Sequence, residues 1–274
     1  MDRFLGVDLA WTGATPATAK NESGVVALDR SGAVLDAGWR VGVHDVEAWM
    51  AEWSTSATLA FIDAPLVVNN ATGQRQCERQ VGQRYGKWWV SANSTNLNST
   101  RLAGVTLREH LEKLGWEYDD GLSGPPEGGR VVSECYPYTT IVGVPELGYD
   151  DKRPMYKRKP KSMTIGEFRP ARADACDDLI ARTQKLADPP LKLESHPATS
   201  ALVTEPSPRA GDRDYKHRED LLDAALCAWT ALLWATDGLD RCQVLGGPEG
   251  DVPTAQVGTI ICPRRPTTVA STLL

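Results

Sequence analysis

Short apolar runs separated by turn residues characterise the first part of the chain. The predicted strands are residues 4–9, 24–28, 34–41 and 58–62. The turn residues Asp29, Ser31 and Gly32 follow the second run and favour an antiparallel hairpin with the third. Between the third and fourth runs, apolar residues at helical spacing predict a helix over 46–53 with Asp45 as its N-cap.

The remainder of the chain alternates irregular segments with a few clear elements. Residues 65–104 are polar and amide-rich without clear periodicity, and residues 188–211 contain five prolines, which is typical of a loop with irregular turns. The predicted elements are helices at about 106–114, 171–186 and 218–236, a strand at 130–135, and a terminal hairpin of 243–245 and 258–262. Gly238 is predicted to end the last helix.

The order of these elements predicts the fold class. Three antiparallel strands, a helix and a strand that returns parallel to the first are typical of the opening of the ribonuclease H-like fold, an α/β fold with a mixed sheet. We expect one domain over residues 1–274. Its core would be about 1–64, 130–145 and 215–262, with large insertions at about 65–129, after the fourth strand, and 146–214, before the final catalytic helix.

Charge and composition narrow the possible functions. The chain carries 30 Lys and Arg against 36 Asp and Glu, so its net charge of −6 argues against binding nucleic acid through an overall positive surface. Residues 151–172, however, hold eight basic and two acidic residues. The six cysteines form no CxxC pair and the four histidines lie far apart, so zinc-ligand spacing is absent and reduced, structural thiols are expected. With no membrane-length apolar run and no secretory signal, we expect a cytoplasmic protein.

Acidic residues occupy corresponding positions at the ends of predicted strands. Asp8 ends the first strand, Asp63 the fourth and Glu134 a later one, and the last helix adds Asp220 and Asp223 on one face. Since the first and fourth strands are expected to be parallel neighbours, Asp8 and Asp63 would lie side by side. Taken singly, a strand-end acid is more often a turn cap, and Asp220 is also suited to complement a helix N-terminus.

Gathered together, such carboxylates would repel one another and lose hydration. Hard oxygen ligands suit Mg²⁺ or Mn²⁺, and two such ions about 3.5–4 Å apart would activate water and stabilise the leaving oxygen of a phosphodiester. The acids therefore predict a metal centre.

Several motifs in a fixed order carry a resemblance to a known family. They are Gly6-Val7-Asp8-Leu9-Ala10-Trp11, Ile62-Asp63-Ala64-Pro65-Leu66, residues 72–79, Glu134-Cys135-Tyr136-Pro137, Tyr156-Lys157 and residues 220–228. This set resembles domain-of-unknown-function family 429, regarded as predicted nucleases of the ribonuclease H-like fold. The resemblance runs from the first strand to the terminal hairpin.

The resemblance implies roles for individual residues. The implied catalytic metal ligands are Asp8, Asp63, Glu134 and Asp223, with Asp220 as a supporting ligand. Arg75, Glu78, Arg79 and Lys157 are the implied substrate-binding residues. Tyr138 stands where the family often has His, and His217 is a candidate to replace that side chain.

Alternatives remain open for the basic and aromatic residues. Residues 151–172 would contact phosphates or form a solvated loop. Trp88 and Trp89 would stack on bases or, more commonly for such a pair, pack inside an insertion. Arg75, Glu78 and Arg79 would line the site or form an internal ion-pair network.

Three functions follow from these patterns. The first is a metal-dependent nuclease that acts on DNA, RNA or a smaller phosphodiester. The second is a nucleotide-binding phosphotransferase or ATPase of related fold, because residues 8–13 weakly echo a phosphate-binding turn, although Ala10 replaces the glycine needed there. The third is a binding or regulatory protein that keeps the acids for structure.

Overall fold

A computed structural model describes residues 1–11, 22–247 and 256–265 of the chain. Its strands are β1 (Arg3–Asp8), β2 (Glu22–Asp29), β3 (Val34–Val41), β4 (Ala57–Ile62), β5 (Glu117–Tyr118), β6 (Gly129–Glu134), β7 (Cys242–Leu245) and β8 (Ile260–Pro263). Its α-helices are α1 (Gly42–Trp53), α2 (Gln76–Tyr85), α3 (Ala103–Lys113), α4 (Pro137–Gly143), α5 (Ile165–Thr183), α6 (Pro197–Thr204) and α7 (Arg213–Arg241).

The central sheet is mixed, in the strand order β3-β2-β1-β4-β6-β5. β1 pairs antiparallel with β2, and β2 with β3, whereas β1–β4, β4–β6 and β5–β6 are parallel pairs. The predicted opening of three antiparallel strands, a helix and a parallel return strand is therefore confirmed. β7 and β8 form the predicted terminal hairpin.

Each face of the sheet packs against different helices, because successive side chains of a strand point to opposite sides. On β1, Phe4 belongs to the core that contains α7, whereas Leu5 and Val7 belong to the core that contains α1 and α3. On β4, Phe61 and Ile62 divide between the two cores in the same way. The strand alternation thus decides which side chains can meet α7.

Glycines let α7 lie directly on the strands beneath it. A Cβ added at Gly6 would lie 2.0 Å from the carbonyl oxygen of Ala224, and one at Gly24 would lie 2.2 Å from that of Asp220. Side chains larger than hydrogen at these two positions would force the helix away from the sheet. The two glycines therefore bring the backbone around Asp220 and Asp223 close to β1 and β2.

Helix α1 begins earlier than predicted. It starts at Gly42 with Val41 as N-cap, so the prediction of Asp45 as the cap is wrong. Asp45 lies in the first turn instead, where its negative charge complements the exposed N–H groups of the helix end. The helix follows β3 directly, without a loop, so no turn residues in the sequence mark its start.

Three helices, α2, α4 and α6, lie in segments for which the sequence predicts no helix. α2 buries Cys77, Glu78, Val81 and Tyr85, and the charged Glu78 on this face obscured its periodicity. α6 lies within the proline-rich segment predicted as loop; Pro197 occupies its first turn, where proline fits a helix.

The long helices α5 and α7 begin five or six residues before their predicted starts, and α5 ends at Thr183, before its predicted end at 186. α5 starts at Ile165, where Thr164 and Glu167 form a capping box that the sequence already contains. Within α7, Gly238 adopts φ 50°, which breaks the helix at the predicted position although helical turns continue to Arg241.

Two further features agree with the composition. All six cysteines are free and buried. Within residues 1–11, 22–247 and 256–265, no helix combines the length and apolarity needed to cross a membrane.

Candidate metal centre

Asp8 and Asp63 meet at the ends of the parallel strands β1 and β4. Asp8 follows Phe4 and Gly6 in the alternation along β1, and Asp63 follows Leu59 and Phe61 along β4, so both acids point to the α7 face. The backbone N–H of Asp63 donates to the carbonyl of Val7 at 2.8 Å, which holds the two chain ends together.

Helix α7 supplies the third acid of the group. One carboxylate oxygen from each of Asp8, Asp63 and Asp223 lies within 4.8 Å of the others. Their exposed fractions are only 9%, 7% and 0%, respectively. Asp220, one helical turn before Asp223, is 2% exposed and lines the same cavity as Asp8. The structure thus brings together four of the five acids that the sequence predicts as metal ligands.

Burial and neighbouring charge raise the pKa values of two of these acids, Asp63 and Asp220. Burial, together with the charge of Asp8, raises the pKa of Asp63 to about 8, against the opposing effect of Lys157. Burial and Asp8 likewise raise the pKa of Asp220 to about 9, although Lys216 lowers it. In both cases a neighbouring lysine opposes only part of the combined effect of burial and of the charge of Asp8.

Two lysines supply that partial compensation. Lys157 forms an ion pair with Asp223, whose other oxygen accepts a hydrogen bond of 2.7 Å from the hydroxyl of Tyr156. Lys216 forms an ion pair with Asp220. Burial by itself would lower the pKa of Lys157, but the charges of Asp8 and its neighbouring carboxylates raise that pKa above its ordinary value.

The residues fit a hard divalent cation. Oδ2 of Asp8 is buried and has no hydrogen-bond partner among the described residues. Carboxylate oxygens converging from three separate elements are the ligands that Mg²⁺ and Mn²⁺ prefer, and an ion there would offset the repulsion that raises the pKa of Asp63.

Glu134 does not join this group. It pairs in register with Ile62, so it faces the side of the sheet opposite α7, and Cys135 occupies the α7 side instead. The oxygens of Glu134 accept hydrogen bonds of 2.6 and 2.8 Å from the guanidinium of Arg75, and a third of 3.1 Å from the N–H of Leu66. The prediction that Glu134 joins Asp8 and Asp63 is therefore not met, because the two strand ends are offset by one residue and successive side chains point to opposite faces.

Arg75 and Glu78 belong to the same internal network. Nε of Arg75 donates to Glu78 at 2.9 Å and its Nη1 donates to the carbonyl of Val67 at 3.1 Å. The side chains of Arg75 and Glu78 are 6% and 2% exposed. Of the two interpretations that the sequence left open, this geometry favours the ion-pair network. Arg79 is exposed and donates to the carbonyl of Gln74.

Trp88 and Trp89 differ: Trp88 packs inside the protein, whereas Trp89 is exposed and available for stacking. Trp88 is buried, and its indole N–H donates to the carbonyl of Asp150 at 2.7 Å. Trp89 is 73% exposed and adopts φ 64°, so the expectation that both rings pack inside is wrong for this residue. A left-handed backbone conformation at a bulky residue is unusual and directs this ring into solvent.

His217 and Tyr138 differ in their relation to the site. His217 pairs with Glu22 and its ring lies 5.0 Å from that of Trp39. Tyr138 is 5% exposed, and its hydroxyl has no hydrogen-bond partner among the described residues. Burial raises the pKa of Tyr138 to about 12, so the hydroxyl keeps its proton at neutral pH.

A cavity of about 300 Å³ opens beside the carboxylates. Acidic and basic side chains both line it: Asp8, Asp63, Asp220, Lys157, Arg158 and Lys216. Trp11, Asn93 and Tyr138 also contribute. The sequence prediction missed Lys216 because the predicted helix begins at residue 218, whereas α7 begins at Arg213 and places Lys216 one turn before Asp220.

The turn that suggested a phosphotransferase is described only in part. The N–H of Ala10 donates to the hydroxyl of Ser23 at 3.0 Å, and the indole of Trp11 donates to the carbonyl of Asp63 at 2.9 Å. Thr12 and Gly13 lie outside the described residues.

A comparison with models of protein families identifies the family of this chain. A model described as "Protein of unknown function (DUF429)" matches residues 6–249, a range that contains all five acids predicted as ligands and ends before β8. No curated protein and no solved structure matches the chain. Since the matched range covers most of the sequence and agrees with its motifs, the chain belongs to the DUF429 family of proteins of unknown function.

Proposed function

We propose that this protein is a metal-dependent phosphodiester hydrolase that acts on nucleic acid. The observation that carries this proposal is the convergence of Asp8, Asp63 and Asp223, within 4.8 Å, in a nearly buried position beside a cavity. The order β3-β2-β1-β4-β6 and the placement of α7 over β1 and β4 support a ribonuclease H-like arrangement.

The chemistry requires a divalent ion and groups that hold a phosphate. Bound Mg²⁺ or Mn²⁺, one ion or two, would lower the pKa of an attacking water and polarise the phosphoryl group. Asp8, Asp63 and Asp223 would hold the ion, and Asp220, which lines the same cavity as Asp8, would be a supporting ligand. Glu134 would not touch the ion; its hydrogen bonds would hold Leu66 and Arg75 in place next to the end of β4.

The cavity also offers groups for the substrate itself. Lys157, Arg158 and Lys216 present positive charge beside the acids, which suits the non-bridging oxygens of a phosphodiester. Tyr138 also lines the cavity, and its buried hydroxyl, which has no hydrogen-bond partner among the described residues, would supply one more donor for these oxygens.

A polymeric substrate is favoured by what surrounds the cavity. Arg158 donates to the side chain of Asn93 at 3.0 Å, and Arg153 donates to the carbonyl of Trp89 while its guanidinium lies 4.3 Å from the centre of the Tyr138 ring. An exposed indole next to arginines is typical of a surface on which an unpaired base stacks. Nucleic acid with single-stranded character would use both the cavity and this rim.

The test is cleavage of labelled single-stranded and duplex DNA and RNA with Mg²⁺ or Mn²⁺. We expect cleavage by the wild-type protein, and a loss of about 100-fold or more in Asp8→Asn and Asp223→Asn, because each removes a ligand that stabilises transition-state charge. Asp240→Asn, which changes an exposed acid on the same helix, is the matched control and should cleave normally. Equal activity in Asp8→Asn and Asp240→Asn would refute the proposal.

A further inference from the structure

A second group of metal-binding side chains lies on the opposite side of the sheet. His44 and Glu47 are three residues apart on α1 and therefore share one face of that helix. His110 lies on α3, which packs beside α1. The two histidines are far apart in sequence, so no ligand spacing could reveal them; the packing of two helices brings them together.

The two distances to Glu47 in this group, the shorter of which is a hydrogen bond, lie on either side of the spacing around a tetrahedral ion. Nδ1 of His110 lies 2.9 Å from Oε2 of Glu47, and Nδ1 of His44 lies 3.6 Å from the same oxygen. Ligand atoms at about 2.0–2.2 Å from a tetrahedral zinc are about 3.4 Å apart, between these two values. One atom from each of the three residues lies within 4.8 Å of the others.

An ordinary ion pair would need only one of the two histidines. His110 already reaches Glu47, and the ring of His44 nevertheless lies 5.1 Å from that of His110, with its own nitrogen directed to the same carboxylate. Two imidazoles converging on one carboxylate oxygen are explained if all three share a cation. Imidazole and carboxylate together favour Zn²⁺ and related transition ions over Mg²⁺.

We propose that His44, Glu47 and His110 form a binding site for a transition-metal ion of the Zn²⁺ class. Three protein ligands leave one position of a tetrahedral ion for water or an external ligand. The side chain of His44 is 73% exposed, whereas those of Glu47 and His110 are 22% and 25% exposed, so the ion would enter from solvent on the His44 side. The site shares no residue with the acidic cluster and does not depend on the proposed hydrolase activity.

The test is calorimetric titration of the metal-free protein with Zn²⁺, supported by the visible absorption of bound Co²⁺. All titrations are also made in the Asp8→Asn background, so that zinc bound by the acidic cluster is counted separately. We expect one Zn²⁺ equivalent whose affinity falls at least about tenfold in His110→Ala and in His44→Ala, since removing a direct ligand should cost no less than removing its outer partner. Co²⁺ should give the intense absorption of four-coordinate geometry.

Two controls make the result decisive. Glu109→Gln alters an exposed carboxylate next to His110 and should bind Zn²⁺ as the wild type does. His44→Ala changes a mostly exposed side chain, so it should fold even if His110→Ala does not. Unchanged Zn²⁺ affinity in folded His44→Ala, or the same loss in Glu109→Gln, would overturn the proposal.

Discussion

Asp63 and Glu134 lie at the ends of the neighbouring parallel strands β4 and β6, yet their side chains point to opposite faces of the sheet. Because Glu134 is in register with Ile62 rather than with Asp63, it faces Arg75 while Asp63 faces α7. The alternation of strand side chains would have predicted this from sequence if the strand register had been known. Register between strands far apart in the chain depends on packing that the sequence does not display.

Replacing Glu134 by Gln tests its place in the buried ion-pair network. We expect the free energy of unfolding to fall by about 3 kcal/mol, because the charge of Arg75 loses one of its two buried partners. Denaturant unfolding measures this change, and Glu52→Gln, at an exposed position of α1, should leave stability nearly unchanged. Mn²⁺ affinity should stay within a few-fold of wild type. A loss as large as that in Asp8→Asn would instead make Glu134 a direct ligand.

Lys157 occupies the position that competes most directly with a metal ion. In Lys157→Met the ammonium group no longer neutralises Asp223, so Mn²⁺ should bind about tenfold more tightly or better. Calorimetry measures this affinity, and Lys161→Met, an exposed lysine of the same segment, is the matched control. Weaker Mn²⁺ binding in Lys157→Met would contradict a site in which this lysine and the ion balance the same carboxylates.

Helix α7 is the element on which the acidic cluster depends most. Its apolar residues predicted a helix packed on the sheet, and the strands ending in Asp8 and Asp63 were predicted from apolar runs and turn residues. The sequence could not show how closely α7 approaches β1, because that distance is set by backbone contact at Gly6 and Gly24. Helix α2 was missed because its buried face includes the charged Glu78, paired with Arg75, among the apolar Cys77, Val81 and Tyr85.

Gly6→Ala tests this close approach. The added Cβ would lie within 2.3 Å of backbone atoms of both Ala224 and Ala228, and backbone cannot rotate away. We therefore expect a loss of more than about 3 kcal/mol in the free energy of unfolding, together with weaker Mn²⁺ binding as Asp223 moves away from Asp8. Thermal and denaturant unfolding measure the first effect.

Gly82→Ala is the control for the same chemical change. Gly82 lies in α2 with open space around its Cα, so alanine there should raise stability by up to about 1 kcal/mol. If Gly6→Ala were tolerated equally well, the contact between β1 and α7 would not determine the position of the acids.

Across the whole molecule, the uneven charge of the sequence has a structural explanation. The net charge of −6 combines a basic segment, residues 151–172, with an acidic remainder. Part of that segment lies against the acidic cluster: Lys157 forms an ion pair with Asp223, and Arg158 lines the cavity that Asp8, Asp63 and Asp220 also line. The fold therefore places basic side chains of this segment next to the buried cluster of acidic side chains. Composition predicted the two opposite charges, but only the fold shows that they meet.

The convergence of Asp8, Asp63 and Asp223 on a metal ion is the central claim, and anomalous scattering from Mn²⁺-soaked crystals tests it most directly. We expect at least one Mn²⁺ peak within about 2.0–2.3 Å of an oxygen from each of these three acids, with Lys157 displaced from Asp223. The same soak of Asp8→Asn crystals should show the peak strongly reduced. Wild-type crystals with Lys157 still paired to Asp223 and no Mn²⁺ peak between the three carboxylates would contradict the claim.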